Sequence, residues 1–197
     1  MLISFCGAAG SGKTSLAKAC VEHVSSEINP YVAYVEEYAR TFIQQLEHPD
    51  HAAVQYHILK AQHKLEEEAL HWAKYSFVDT STIFSYIYPK TYSSTNNKMK
   101  LFILNDLKKE VLESSKRYDH IFYLPLRDDV EDDGVRLPED SPMLDIAIRA
   151  FIKEHEQLDA KTTYLPEGLS VADSVSFVLS RLGLTSQGSI TELAKTV

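Results

Sequence analysis

The stretch "CGAAGSGKTS" runs from Cys6 to Ser15, and its reading decides the fold. Gly7, Gly12, Lys13 and Thr14 fit the pattern G-x-x-x-x-G-K-[ST]. The apolar run "LISFC" (2–6) precedes it and reads as a buried strand. After it, "KTSLAKACVEHVSSE" (13–27) sets Leu16, Cys20 and Val24 on one face at a spacing of four, which is helical. A glycine-rich turn between a strand and a helix can aim several backbone N–H groups at one anion, because glycine permits the bends that make them converge. The helix dipole adds to that attraction. Gly7, Ala8, Ala9, Gly10, Ser11, Gly12, Lys13, Thr14 and Ser15 are therefore the candidate phosphate cradle. The Lys13 ammonium is expected to reach the β- and γ-phosphates of a nucleotide, outside the packed core. The Thr14 hydroxyl is expected to ligate Mg²⁺. A plain glycine turn before an ordinary helix is the alternative, and the strand-to-helix setting speaks against it.

Working outward, "YVAYV" (31–35) is β-branched and aromatic and reads as a second strand, followed by a helix over 36–46. "HPDH" (48–51) breaks the chain, with Asp50 a candidate N-cap for a long helix over about 51–74. "YSFVD" (75–79) is the third strand. Helix follows over 80–90, with a polar loop over 88–98 and helix again over 101–115. "HIFYLPL" (120–126) and "TTYLP" (162–166) are the fourth and fifth strands, with a helix over 143–157 between them and another over 170–182. Short strands alternating with helices predict an α/β fold: a five-stranded parallel sheet flanked by helices on both faces. Residues 1–185 read as a single domain and 186–197 as a C-terminal tail.

The chain has 197 residues, 44% of them hydrophobic, which suits one core. With 20 Lys and Arg against 28 Asp and Glu, the net charge is -8. That acidity makes a long nucleic acid a poor partner. No apolar run is long enough to span a bilayer, and "LISF" is too short for a signal peptide's apolar region, so the expected location is cytoplasmic. Cys6 and Cys20 have no C-x-x-C partner and read as buried, reduced thiols. The histidines lack metal-ligand spacing, so zinc is not expected.

Several residues outside the glycine turn bear chemistry. Asp79 ends an apolar strand, where a carboxylate faces the ligand crevice and can hold Mg²⁺; it also suits a helix N-cap, and both readings stay open. In "VEEYAR" (35–40), two carboxylates and Arg40 follow strand two. Glu36 or Glu37 there can take the proton of an acceptor hydroxyl, or simply begin a surface helix. The charged stretch 127–142 is a candidate lid, with Gly134 as its turn and Arg127 and Arg136 as arginine clamps. Tyr86, Tyr88 and Tyr92 can stack on a base or belong to the core. The absence of an N-K-x-D motif favours ATP over GTP.

"GAAGSGKT", "EYAR" (37–40), "FVDT" (77–80) and "DDGVR" (132–136) occur together in this order. In that combination the chain resembles NadR-type nicotinamide riboside kinases and the wider NadR-like AAA group of P-loop proteins. It is broadly similar to nucleoside and thymidylate kinases as well. The resemblance covers about residues 1–185. It implies a P-loop NTPase fold with a lid, with ATP and Mg²⁺ as cofactors and a small nucleoside-like or nucleotide-like acceptor. It implies Glu37 at the acceptor hydroxyls, Arg40 near the transferred phosphate and Asp79 as Mg²⁺ partner or base. It also implies that the loop "YLPEG" (164–168) packs along the donor base. Ser81 stands where the family often has a second acid, so phosphoryl transfer is carried over and the identity of the acceptor is not. The expected function is a small-molecule phosphotransferase. The alternatives are a nucleotide-binding switch with weak NTPase activity, and a phage kinase acting on a modified base in DNA.

Overall fold

A computed structural model describes residues 1–44, 52–92, 98–127 and 141–184. Five strands form one sheet: β1 (Leu2–Cys6), β2 (Val32–Val35), β3 (Tyr75–Val78), β4 (His120–Tyr123) and β5 (Thr162–Tyr164). Their order is β2-β3-β1-β4-β5, and every pairing is parallel. The expected sheet is therefore present. The strand β1 is fully buried, and it sits at the centre with Ile3 opposite both Phe77 and His120.

Helices cover both faces because side chains alternate along each strand. On one face Ile3 and Phe5 join Leu16, Cys20 and Val24 of α1 (Lys13–Glu27) and Val175, Val178 and Leu179 of α8 (Val171–Arg181). Phe5 stacks on Phe77 and tilts against Phe122, with ring centroids 6.3 and 6.1 Å apart, so three neighbouring strands share one aromatic row. On the other face Leu2 and Cys6 meet α3 (Ala52–Trp72), α4 (Phe84–Tyr92), α5 (Lys98–Ser115) and α6 (Ser141–Glu154) through Leu59, Ile87, Val111 and Phe151. Two short helices, α2 (Tyr38–Ile43) and α7 (Glu156–Asp159), complete the described elements.

Three expectations need correction. The helix after β3 begins at Phe84, not at residue 80, because Thr80–Ile83 turns first; it then runs on to Tyr92, into the stretch read as polar loop. The helix expected over 143–157 ends at Glu154, and His155 takes an extended conformation (φ -118°, ψ 98°) before α7. The helix after β2 is shorter than expected, at six residues. The candidate N-cap Asp50, the histidines at 48 and 51, most of the lid stretch with Gly134 and Arg136, and the tail 186–197 lie outside the described residues.

Candidate active site

In a parallel sheet all strands end on one side, and ligands bind beyond their carboxyl ends. Here Gly7 follows β1, Glu37 follows β2, Asp79 follows β3, Arg127 follows β4 and Leu165–Leu169 follows β5. The topology alone brings these distant segments to one edge of the molecule.

The glycine turn has the backbone that its sequence predicts. Gly7, Gly10 and Gly12 all have positive φ (147°, 73° and 91°). At Gly7 a Cβ would lie 2.5 Å from the Leu124 carbonyl oxygen, so the close approach of β4 requires glycine there. Gly12 is the N-cap of α1 and no side chain caps it; the first turn carries no acid. The N–H groups of that end therefore face the turn with no acid from the helix's own first turn among them. Lys13 is buried, 5% exposed, which corrects the expectation of a lysine outside the core. Its ammonium donates to the carbonyls of Gly7 and Ala8, both at 2.8 Å, and lies 5.5 Å from the centre of the Phe84 ring. These bonds fold the lysine over the turn.

Asp79 does not cap a helix. Its carboxylate accepts from the Thr14 hydroxyl, 2.9 and 3.0 Å from its two oxygens, and from the Tyr34 hydroxyl at 2.7 Å. Burial, reinforced by Asp79, pushes the Tyr34 hydroxyl pKa well above its ordinary value, so it stays a donor. Tyr34 carries no site signal in the sequence beyond its place in strand two. Thr14 and Asp79 together offer hard oxygen donors, which suit Mg²⁺ and not a soft metal. Among the described residues no three His, Cys, Asp or Glu side chains gather to hold a metal by themselves.

Of the two acids after β2, Glu36 is exposed, whereas Glu37 is buried with 5% exposure. Glu37 sits at the N-cap position of α2, yet its side chain makes no capping bond. It lines a crevice with Gln55, Gln62, Thr82, Phe84 and Tyr88. Arg40 is half-exposed and stands 3.7 Å from the Glu37 carboxylate, one turn along α2. Of the three tyrosines, Tyr86 packs in the core against Phe151, Tyr88 lines the crevice, and Tyr92 stacks on Tyr88.

Gln62 escaped the sequence reading. Its carbonyl accepts from the Tyr38 N–H at 2.9 Å and its amide donates to the Glu36 carbonyl at 3.2 Å, so it clamps the turn that carries Glu37. A signal existed: Gln55, Gln62 and Glu66 are polar residues at the spacing of the buried stripe of α3, and all three are buried.

On the other side of the glycine turn, a groove of about 510 Å³ runs between Ser11 and Gly12, the segment Leu124–Arg127, and the loop Leu165–Leu169. The loop "YLPEG" thus borders a ligand-sized groove. The Arg127 guanidinium comes within 3.5 Å of where a Cβ on Gly12 would stand. Both cysteines are free and buried, and burial pushes their thiols up to about 12, so they act as core residues.

A crevice, a phosphate turn and a groove side by side define a P-loop nucleotide-binding domain. The chain belongs to the AAA-domain family, whose model matches residues 2–168. Its fold is similar to that of the NadR protein solved in complex with NR, with a TM-score of 0.67 and 22% identity over 94% of this chain. The chain spans about half of that protein, 52% of its length. It is also similar to deoxyadenosine kinase from M. mycoides (TM-score 0.70, 15% identity, 94% of this chain and 100% of that one). The same holds for thymidylate kinase from Ehrlichia chaffeensis (TM-score 0.64, 15% identity, 92% and 98%). No curated protein sequence matches. No helix among the described residues is long and apolar enough to cross a membrane.

Proposed function

We propose that the chain is an ATP- and Mg²⁺-dependent kinase that transfers the γ-phosphoryl group to a small nucleoside-like or nucleotide-like acceptor. The observation that carries this reading is the buried carboxylate of Glu37 in a crevice across the phosphate turn from the larger groove. A nucleotide-binding switch needs the groove and the turn, but has no use for a second crevice lined by an uncapping, buried glutamate. The kinase fold shared with deoxyadenosine and thymidylate kinases supports the same reading.

In this reading the groove beside Leu165–Leu169 takes the adenine of ATP. The backbone N–H groups of Gly7–Ser15 and the Lys13 ammonium hold the phosphates. Thr14 and Asp79 hold Mg²⁺, which supplies charge neutralisation at the phosphate oxygens. Lys13 leaves its bonds to the Gly7 and Ala8 carbonyls to reach the phosphate. Glu37 orients the acceptor hydroxyl and receives its proton, and Arg40 holds the Glu37 carboxylate in place. Arg127 is the donor-side cation, and Arg136 is the further candidate. The cytoplasm is the expected setting.

Incubation with ATP, Mg²⁺ and a panel of nucleosides and nucleotides tests the reading. A phosphorylated product from one of them supports it. ATP hydrolysis that no member of the panel alters contradicts it.

A further inference from the structure

Tyr34 lies on β2, an outer strand of the sheet, and the proposed chemistry makes no use of it. It pairs in register with Phe77 and packs on the sheet face that α1 covers. The Lys18 ammonium, one turn beyond Thr14 on α1, lies 5.6 Å from the centre of its ring. A half-buried tyrosine in that place needs only its ring to pack. Its hydroxyl does more, because it donates to Asp79 Oδ2 at 2.7 Å. The same strand holds Asp79 a second time: the Val35 carbonyl accepts from the Asp79 N–H at 2.9 Å. Strand β2 therefore grips Asp79 at its backbone and at its carboxylate.

An ionised carboxylate only accepts, so the hydroxyls of Thr14 and Tyr34 both donate to it. Thr14 has one proton, and its oxygen lies 2.9 Å from Oδ2 and 3.0 Å from Oδ1. It does not by itself choose between the two oxygens. The outer torsion of an aspartate is broad and roughly two-fold, so a carboxylate held by Thr14 alone could turn. Tyr34 makes the choice, since its single proton goes to Oδ2. Oδ2 then serves two donors, and Oδ1 keeps the larger share of its lone pairs.

We propose that Tyr34 is a positioning residue for the metal site, whose hydroxyl occupies Asp79 Oδ2 and so leaves Oδ1 for Mg²⁺ or its bound water. This rests on the reading that Thr14 and Asp79 hold Mg²⁺, and it is independent of which acceptor is phosphorylated. Hydrogen-bonded partners of a metal-ligating carboxylate fix its orientation, and their loss typically lowers metal affinity by about ten- to a hundredfold. Tyr34 is half-buried, so water can replace part of the lost bond, and the expected effect lies at the lower end of that range.

ATP titration with and without Mg²⁺, and Mn²⁺ binding in the presence of ADP followed by electron paramagnetic resonance, test this without turnover. Tyr34→Phe keeps the ring and its packing. It should lower the affinity for Mn²⁺, and the gain in ATP affinity that Mg²⁺ brings, by about tenfold. Metal-free ATP affinity and the thermal midpoint should match the wild type. In an Asp79→Asn background the same change should cost nothing further, because the charge that Tyr34 orients is gone. Equal metal dependence in wild type and Tyr34→Phe overturns the proposal and leaves the Mg²⁺ reading standing. A loss in metal-free affinity as large as the loss with metal marks a structural role and overturns it too, as does a tenfold loss that persists in Asp79→Asn. Should Tyr34→Phe fail to fold, the wild type decides: the Tyr34 ring signals in NMR must move when Mg²⁺ is added to the ATP complex, while those of the exposed Tyr31 stay. Static Tyr34 signals overturn the proposal. A wild type whose ATP affinity ignores Mg²⁺ overturns the Mg²⁺ reading itself, and the proposal with it.

Discussion

The Thr14 hydroxyl lies 2.9 Å from the Asp79 carboxylate, although 65 residues separate them in sequence. Thr14 opens the helix after β1, and Asp79 follows β3, the strand beside it. Parallel pairing therefore brings together the two oxygen donors proposed for Mg²⁺. Replacing Asp79 with Asn keeps the shape and removes the charge. A charged hydrogen-bonded group contributes about 1.5–3 kcal/mol, so Mg²⁺-dependent affinity for ATP should fall roughly tenfold to a hundredfold. Calorimetric titration with and without Mg²⁺ measures it. An unchanged metal dependence would remove Asp79 from the site.

Lys13 is buried, and its ammonium bonds to groups of the phosphate turn and lies over Phe84. Lys13→Ala should abolish measurable triphosphate binding, or weaken it by at least about tenfold, the loss of one charge-assisted contact. The fold should survive, since the carbonyls of Gly7 and Ala8 face a site that admits water and ligand. Circular dichroism and ATP titration on the same sample separate the two effects. Intact affinity and intact turnover would refute the role.

Gly7 has a φ of 147° and no room for a side chain against the Leu124 carbonyl. Gly7→Ala should therefore destabilise the chain by about 1–3 kcal/mol and displace the phosphate turn from β4. Denaturant unfolding checks this. A midpoint equal to that of the wild type would mean that β4 yields at no cost.

Burial raises the Glu66 carboxyl from near 4.5 to about 7, against the pull of Arg117. The folded chain thus holds that proton more tightly than the unfolded chain does. Its stabilising contribution is complete below about 4.5 and is lost as pH rises through 7, on the order of 3 kcal/mol in all. Unfolding curves of the wild type and Glu66→Gln from pH 5 to pH 8 should diverge, the wild type losing more stability as pH rises. Parallel curves would show that Glu66 does not titrate in this range. The ionised form accepts from Tyr118 and Arg117 at the cost of stability, as buried charges commonly do.

Much of the fold is legible in the sequence. The phosphate turn, β1 and α1 coincide with their expected bounds, because glycine chemistry and a spacing of four act locally. The choice of Glu37 over Glu36 was not legible from local chemistry; it came from the "E-Y-x-R" resemblance, and the burial of Glu37 is a tertiary fact. The turn Thr80–Ile83 was missed because its residues also suit a first helical turn, and only the Tyr118 hydroxyl explains why Thr82 N–H stays out of the helix. Glu66 was hidden in "KLEEEAL", where a run of acids reads as a solvated face. Its partners Arg117 and Tyr118 lie 51 and 52 residues away, beyond any local pattern.

The central claim is that Glu37 serves an acceptor, and transfer of the γ-phosphoryl group from labelled ATP measures it most directly. Wild type, Glu37→Gln and Glu36→Gln are compared on the same nucleoside and nucleotide panel with Mg²⁺. Glu37→Gln keeps the shape of the buried side chain but cannot take a proton. The account predicts labelled product from wild type and from Glu36→Gln. In Glu37→Gln the transfer rate should be lower by about 10²–10⁴-fold at undiminished ATP affinity. Damage from Glu36→Gln with a silent Glu37→Gln would contradict the assignment, and three proteins that hydrolyse ATP alike and label no acceptor would contradict the kinase itself.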